Sequence, residues 1–243
     1  LKFNVFPWRF QNKIFLITGH TSGLGYSLNK ILLKNKNKII GISRSKSEIN
    51  NLLNLKVNFL DLKKLKTKLE KIKRIKKIDF VVLNAGLLGE LDKFENIDLI
   101  EFEKIMKVNF FSNKIIVDFI LSNKIKVKNI VAISSGAAFD PKFGWGSYCI
   151  SKAAMKMMID TYALENKKIN FVNLAPGIIK TKMQKKIFNT KKNFNSLKKF
   201  KDLYKKNLID SPDTVALKML NYLSKIKKFN SKNYIDLRNE WKI

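Results

Sequence analysis

Cysteine and histidine each occur once in the 243 residues, at Cys149 and His20. A single thiol excludes an internal disulfide, and a reducing compartment is the simpler setting for such a chain. One imidazole and one thiol cannot build a zinc site without several carboxylates, so no metal is expected. Long apolar runs are missing as well: no segment approaches the roughly 20 apolar residues of a membrane-spanning helix. The opening LKFNVFPWRFQNK holds no apolar signal core followed by a small-residue cleavage site. A cytoplasmic protein with no membrane partner is the expectation. The first residue is Leu rather than Met, which suggests an unusual start or a processed or truncated chain.

Acidic residues are scarce, with 19 Asp+Glu against 49 Lys+Arg and a net charge of +30. Such a field attracts anions, nucleic acid and acidic surfaces. Arginine is nearly absent, however, being confined to Arg9, Arg44, Arg74 and Arg238, whereas readout of base edges favours the planar guanidinium fork. The lysines are spread along the whole chain among Asn, Ile and Phe. The charge therefore reads as solvated surface, and nucleic acid is not an expected partner; clustering of lysines on one face would reverse that reading.

What is present is a 45% hydrophobic chain without repeats or Pro/Gly/Ser linkers, of a size that one α/β domain spanning residues 1–243 fills. Strand-like runs at Lys13–Thr18, Lys38–Ser43, Lys56–Leu60, Asp79–Leu83, Lys128–Ser134, Ile169–Leu174 and Asn233–Leu237 alternate with helix-period segments. The latter lie at Leu24–Lys34, Leu62–Ile75, Leu99–Asn123, Ser147–Glu165 and Pro212–Lys225. Seven strands in this alternation predict a doubly wound parallel sheet. Residues 181–208 are different: Phe188, Phe194, Phe200 and Tyr204 are scattered among many lysines with no clear period. An excursion this late in the chain sits near the carboxyl ends of the strands, so it is either a substrate lid or a surface loop.

The run Thr18-Gly19-His20-Thr21-Ser22-Gly23-Leu24-Gly25 follows a strong apolar strand and opens a helix. Glycines allow a tight turn and close approach, and free amides at a helix start suit a pyrophosphate. After the next strand stand Ser43 and Arg44, with no carboxylate to bond a ribose 2′-hydroxyl. A base there accepts a 2′-phosphate, so NADP(H) is favoured over NAD(H), the alternative being an ordinary surface arginine. Tyr148 and Lys152 are four residues apart on a helix and share one face. Ser134-Ser135-Gly136 ends the preceding strand, thirteen residues before the tyrosine for Ser135.

With Asn84-Ala85-Gly86 after the fourth strand, Asn109 in the next helix, and Pro176-Gly177 with Thr181 after the sixth strand, the chain resembles the short-chain dehydrogenase/reductases over nearly its whole length. The resemblance implies a single-domain Rossmann-like fold, hydride transfer with a nicotinamide cofactor, and a catalytic tetrad of Asn109, Ser135, Tyr148 and Lys152. It also implies cofactor contacts from Gly19, Thr21, Ser22, Gly23, Leu24, Gly25, Ser43, Arg44, Asp61, Asn84, Ala85, Gly86, Tyr148, Lys152, Pro176, Gly177, Ile179 and Thr181. Asp61 matches the position that contacts adenine, Lys152 one that bonds the nicotinamide ribose, and Asn109 one that holds a proton-relaying water. Homo-oligomers built on the helices around Asn109 and Tyr148 are expected.

The segment SSGAAFDPKFGWGSYCISKAAM looks most like benzil reductase and sepiapterin reductase-like members, which implies a small carbonyl substrate, a ketone or diketone of aromatic or pterin-like character. In that chemistry Tyr148 protonates the carbonyl oxygen while Ser135 bonds it. A tyrosine of pKa about 10 needs help, and a neighbouring Lys152 ammonium is expected to lower it. A non-catalytic nucleotide sensor on the same fold is the rival reading, but it would not need Tyr148 and Lys152. His20, with no visible partner, reads as a tolerated turn residue and Cys149 as packing. Phe143 and Trp145 either line the pocket or pack. Ser231-Lys232-Asn233 stands where related enzymes often carry a glycine, leaving the C-terminal edge of the pocket open.

Overall fold

The computed structural model describes residues 10–47, 49–50, 52–225 and 234–239. In chain order they form β1 (Ile14–Thr18), α1 (Gly23–Lys34), β2 (Lys38–Ser43), β3 (Leu53–Lys56), α2 (Leu62–Leu69), β4 (Lys77–Leu83), α3 (Leu99–Met106) and α4 (Ser112–Ser122). Then follow β5 (Lys126–Ile133), α5 (Gly146–Glu165), β6 (Asn170–Ala175), α6 (Lys182–Asn189), α7 (Asn195–Lys205), α8 (Pro212–Lys225) and β7 (Tyr234–Asp236). The strands make one seven-stranded sheet in the order β3-β2-β1-β4-β5-β6-β7, and every neighbouring pair is parallel.

A parallel sheet is covered on both faces, so its central strands read as continuous apolar runs rather than alternating ones. That is the character of IFLIT in β1 and KIIGIS in β2, whose residues are almost all buried. On one face Leu65 and Leu69 of α2, Ile116 and Val117 of α4, and Met155 and Ile159 of α5 pack against the sheet. On the other, Leu24, Leu28 and Leu32 of α1 meet Val215 and Met219 of α8. The chain winds outward from β1 to β3 and then restarts beside β1 with β4. This reversal opens a crevice at the carboxyl ends of β1 and β4, the place where doubly wound sheets bind ligands.

Several boundaries depart from the sequence expectation. The third strand is Leu53–Lys56 rather than Lys56–Leu60, because its partner β2 ends at Ser43. The last ladder bond runs from Val57 N to Ser43 O, and the apolar alternation of Val57 and Phe59 continues with nothing left to pair. The helix expected over 62–75 leaves α geometry at Leu69 and tightens into a 3₁₀ turn at Glu70–Ile72. The helix expected over 99–123 is α3 and α4 joined by a π turn at Lys107–Phe111, which carries buried Val108 and Asn109. Such wide turns concentrate at functional sites.

Residues 181–208 are not irregular: they hold α6 and α7, with Ile187 and Leu197 buried. The helical spacing is present in Met183 and Ile187 and in Leu197, Phe200 and Tyr204, but each helix is too short, and too crowded with lysine, for it to stand out. Asn233 of the expected last strand lies outside the described residues. No helix among the described residues is long and apolar enough to cross a membrane.

Candidate active site

The turn between β1 and α1 closes on itself. A Cβ added to Gly25 would lie 2.3 Å from the Gly19 carbonyl oxygen and 2.6 Å from Asn84 Nδ2, so no side chain fits there. Gly19 and Gly23 adopt φ of +69° and +53°, the left-handed region that favours glycine. Asn84, at the end of β4, ties the turn down: its Nδ2 donates to Thr18 O at 2.9 Å. The Thr18 hydroxyl in turn accepts from Asn84 N and Ala85 N at 2.8 and 2.9 Å. Helix α1 starts at Ser22 with no side-chain cap and no acidic residue in its first turn. Its leading amides are thus left for an anion, and the residues present fit the pyrophosphate of a dinucleotide.

At the end of β2 the Ser43 hydroxyl donates to Ser45 O at 2.6 Å, and Arg44 beyond it is exposed. An open pocket next to this strand end is lined by Lys46, Ser47, Ile49, Asn50 and Asn54. Asp61 caps α2, its carboxylate accepting from Lys64 N at 2.9 Å. His20 departs from expectation. It is 1% exposed, its Nε2 donates to Asn54 Oδ1 at 2.9 Å, and its ring lies where a Cβ on Gly41 would otherwise project. Burial lowers its pKa. His20 is a fixed, neutral brace between the turn and β3, and only a fold that brings Gly41 beneath it could have disclosed that.

The four residues of the expected tetrad converge from three elements. Asn109 is held on the π turn: its Oδ1 accepts from Leu87 N at 2.7 Å, while its Nδ2 donates to Leu87 O at 2.8 Å and to Ser151 Oγ at 2.9 Å. A Cβ on Gly86 would be 3.5 Å from Asn109 Oδ1 and 3.7 Å from Lys152 Nζ, which places both beside the same backbone. Ser135 follows β5, and its hydroxyl accepts from Ala137 N at 3.2 Å. Lys152 Nζ donates to Ile133 O at 2.7 Å and stands 5.7 Å from the centre of the Tyr148 ring.

The electrostatics correct one expectation. Burial pushes Tyr148 up to about 12, against the opposing influence of the Ser135 side chain, and pushes Lys152 down to about 8. The ammonium does not lower the phenol here because desolvation penalises both charged forms.

Tyr148 shares a small apolar cluster with Leu88, Leu91, Ala137, Trp145, Cys149, Ile187 and Leu197. Helices α6 and α7 supply the last two and cover the rest. Phe194 packs on Gly144, where a Cβ would be 2.5 Å from its ring, and Phe200 stacks obliquely on Trp145 with centroids 5.0 Å apart. Lys186 Nζ donates to Gly89 O at 2.8 Å, Lys192 pairs with Asp92, and Ser196 Oγ donates to Phe143 O at 2.7 Å. Trp145 packs while Phe143 is 57% exposed. Trp145 Nε1, Ser147 Oγ and Ser134 Oγ are buried without hydrogen-bond partners, and the Trp145 ring meets that of Tyr148 edge-on with centroids 6.1 Å apart. Cys149 is packed, as expected, and burial raises its pKa. Pro176 and Gly177 follow β6, Ile179 bridges to Asp210, and the Thr181 methyl lies 3.3 Å from a Cβ placed on Gly23. The start of the covering segment therefore rests on the glycine-rich turn.

Comparison with known proteins agrees with this geometry. The family model described as short chain dehydrogenase matches residues 13–192. The chain belongs to the short-chain dehydrogenases. An uncharacterized oxidoreductase of Schizosaccharomyces pombe is 36% identical over 186 residues, covering 73% of this chain and 75% of its own. A benzil reductase ((S)-benzoin forming) of Bacillus cereus is 29% identical over 230 residues, covering 86% of this chain and 92% of its own. The crystal structure of the short chain dehydrogenase/reductase YIR035C of Saccharomyces cerevisiae superposes with a TM-score of 0.79 at 25% identity, over 93% of this chain and 96% of that one. As a short-chain dehydrogenase, the protein is an NAD(P)-dependent oxidoreductase acting on a small molecule.

Sequence reasoning missed three features of the site: the brace from His20 to Asn54, the bond from Asn109 to Ser151, and the seat of Phe194 on Gly144. None has a local signal, since each joins residues far apart in the chain.

Proposed function

We propose that this short-chain dehydrogenase is an NADPH-dependent carbonyl reductase acting on a small ketone or diketone, aromatic or pterin-like in character. Asn109, Ser135, Tyr148 and Lys152 are its catalytic groups, and residues 1–243 act as one catalytic domain whose segment 181–208 is the substrate lid. The observation that carries this reading is the convergence of Ser135, buried Tyr148 and buried Lys152 beneath the aromatic cover of Phe194 and Phe200. The benzil reductase relative supports a diketone.

The bound nicotinamide supplies the hydride. The chain's own part is to hold the carbonyl oxygen and protonate it. The Tyr148 hydroxyl, which burial keeps protonated to about pH 12, donates its proton as negative charge grows on that oxygen, a contribution of roughly 10²–10⁴ in rate. Ser135 Oγ donates a second hydrogen bond to the same atom. Lys152, with a pKa of about 8, keeps its proton at neutral pH and stabilises the phenolate left behind. Asn109 holds the loop after Gly86 in register with Lys152 and carries the proton-relaying water.

Gly19, Thr21, Ser22, Gly23, Leu24 and Gly25 would hold the pyrophosphate, with Asn84, Ala85 and Gly86 lining the crevice beside it. Asp61 would meet the adenine, and Pro176, Gly177, Ile179 and Thr181 would complete the contacts to the cofactor. Ser43 and Arg44, with Lys46 nearby, favour a 2′-phosphate, since no carboxylate stands at the end of β2.

Titration with NADPH and NADH, for the wild type and Arg44→Ala, followed by assay on aromatic ketones and diketones with Tyr148→Phe alongside, tests this reading. NADPH is expected to bind more tightly than NADH, and Arg44→Ala to weaken NADPH alone by about ten- to a hundredfold, the worth of a charged hydrogen bond. Tyr148→Phe is expected to lose about 10²–10⁴ in turnover while still binding NADPH. Near-normal turnover by Tyr148→Phe would remove the tyrosine from the mechanism.

A further inference from the structure

Arg238 follows β7, and its side chain runs back across the ends of two neighbouring strands. A Cβ placed on Gly177, in the turn after β6, would lie 3.2 Å from Arg238 Cγ and 3.5 Å from Cδ; one placed on Gly136, after β5, would lie 4.0 Å from Nη2. The guanidinium thus lies along the carboxyl ends of β5, β6 and β7, with Nη2 beside Gly136, the residue that follows Ser135. The two glycines leave the path clear for it, and no step of the mechanism uses it.

Its support is built in. Arg238 N and Nε donate to Asp236 Oδ1 at 3.0 and 2.9 Å, Nε also reaches Oδ2 at 3.2 Å, and Nη2 bonds Oδ2. The Asp236 side chain is 10% exposed and that of Arg238 57%. The half-buried carboxylate is therefore the anchor, and the guanidinium it holds stays largely exposed. Asp236 is committed to the Nε and Nη2 side, Tyr234 is a phenol whose pKa burial raises, and Lys156, which stands over the Phe139 ring that packs on Tyr234, is itself paired with Asp160. The chain as a whole carries +30, a field that draws anionic ligands toward it.

We propose that Arg238 is a specificity-determining residue whose guanidinium binds a carboxylate adjoining the carbonyl under reduction, so that 2-oxo acids are favoured among the small ketones the enzyme reduces. The inference rests on the reductase reading. In the step it concerns, hydride passes from the reduced nicotinamide to the carbonyl carbon and the Tyr148 proton to its oxygen, while the carboxylate is unchanged and serves only as the handle. A planar guanidinium, held rigid by its own carboxylate partner, suits such a two-oxygen group better than a lysine would.

The test compares phenylglyoxylate with its neutral near-isostere 1-phenyl-1,2-propanedione, with NADPH, in the wild type, Arg238→Gln and Arg238→Lys. The wild type is expected to favour phenylglyoxylate in kcat/KM. Arg238→Gln should lose about ten- to a hundredfold on phenylglyoxylate, mostly in KM, with the dione changed by less than about threefold and the NADPH Kd unchanged. Arg238→Lys should fall between. Equal losses on both substrates, a weakened NADPH Kd, or an unaltered phenylglyoxylate KM in Arg238→Gln would overturn the proposal. Failure of the wild type to reduce either substrate would instead bring down the reductase reading, and this inference with it.

Discussion

The two sides of the cleft are built from different materials. The nucleotide side is backbone: a turn whose glycines lie against one another, with Gly25 facing the Gly19 carbonyl and Asn84 pinning Thr18. The substrate side is side chain: Trp145, Phe194, Phe200, Ile187 and Leu197 interlock over Tyr148, with a lysine bond and an ion pair at the margin. A backbone cradle tolerates almost no change, because the colliding atoms cannot move. An aromatic cover can slide or lift, because its contacts end in rings on two short helices. The difference separates a rigid part, fixed by backbone collisions, from a part whose side chains can be rearranged.

The sharpest way to break this contrast is Gly25→Ala. The added methyl would meet the backbone oxygen of Gly19, so the turn must open, at a cost of about 1–3 kcal/mol. NADPH affinity should fall at least about tenfold and the melting temperature with it, as read by titration and thermal unfolding.

Gly144→Ala is the matched change on the other side. Gly144 has a φ of +79° and lies under the Phe194 ring, but a ring can swing aside. The expected result is a carbonyl KM raised by about three- to tenfold with the NADPH Kd unchanged, reflecting about 1 kcal/mol of local strain. Equal damage to cofactor binding from the two variants would dissolve the distinction.

A third test concerns Lys152, which lies between the two sides. Its proton is held in the folded chain with a pKa of about 8 against 10.5 when unfolded. Between those values the unfolded chain binds more proton than the folded one, so this residue makes stability rise with pH across that window. Denaturation of the wild type and Lys152→Met from pH 8 to 10.5 should show the wild type gaining relative to the variant. A constant difference would mean that Lys152 is not desolvated.

Of the site, the parts readable in advance were those that depend on local spacing. Gly19, Gly23 and Gly25 announce a turn between a strand and a helix, and Tyr148 and Lys152 share a helix face because they stand four apart. The electrostatic coupling of those two was not readable. Proximity suggested a lowered tyrosine pKa, whereas burial, a property of the packed molecule, raises it to about 12. His20 makes the same point: its role depends on Gly41 and Asn54, which lie on other strands.

The sequence alone determined the alternation of apolar strands and helices, hence the doubly wound sheet, and the order in which the chemical groups appear along it. Such features arise from hydrogen-bonding and hydrophobic periods only a few residues long. Tertiary structure decided where β3 stops, because pairing ends with its partner. It turned residues 181–208 into two helices over Tyr148, because their apolar positions are stabilised only when Trp145 and Gly144 lie beneath them. It also carried Arg238 back across Gly177 and Gly136, a meeting of distant residues that no local pattern encodes.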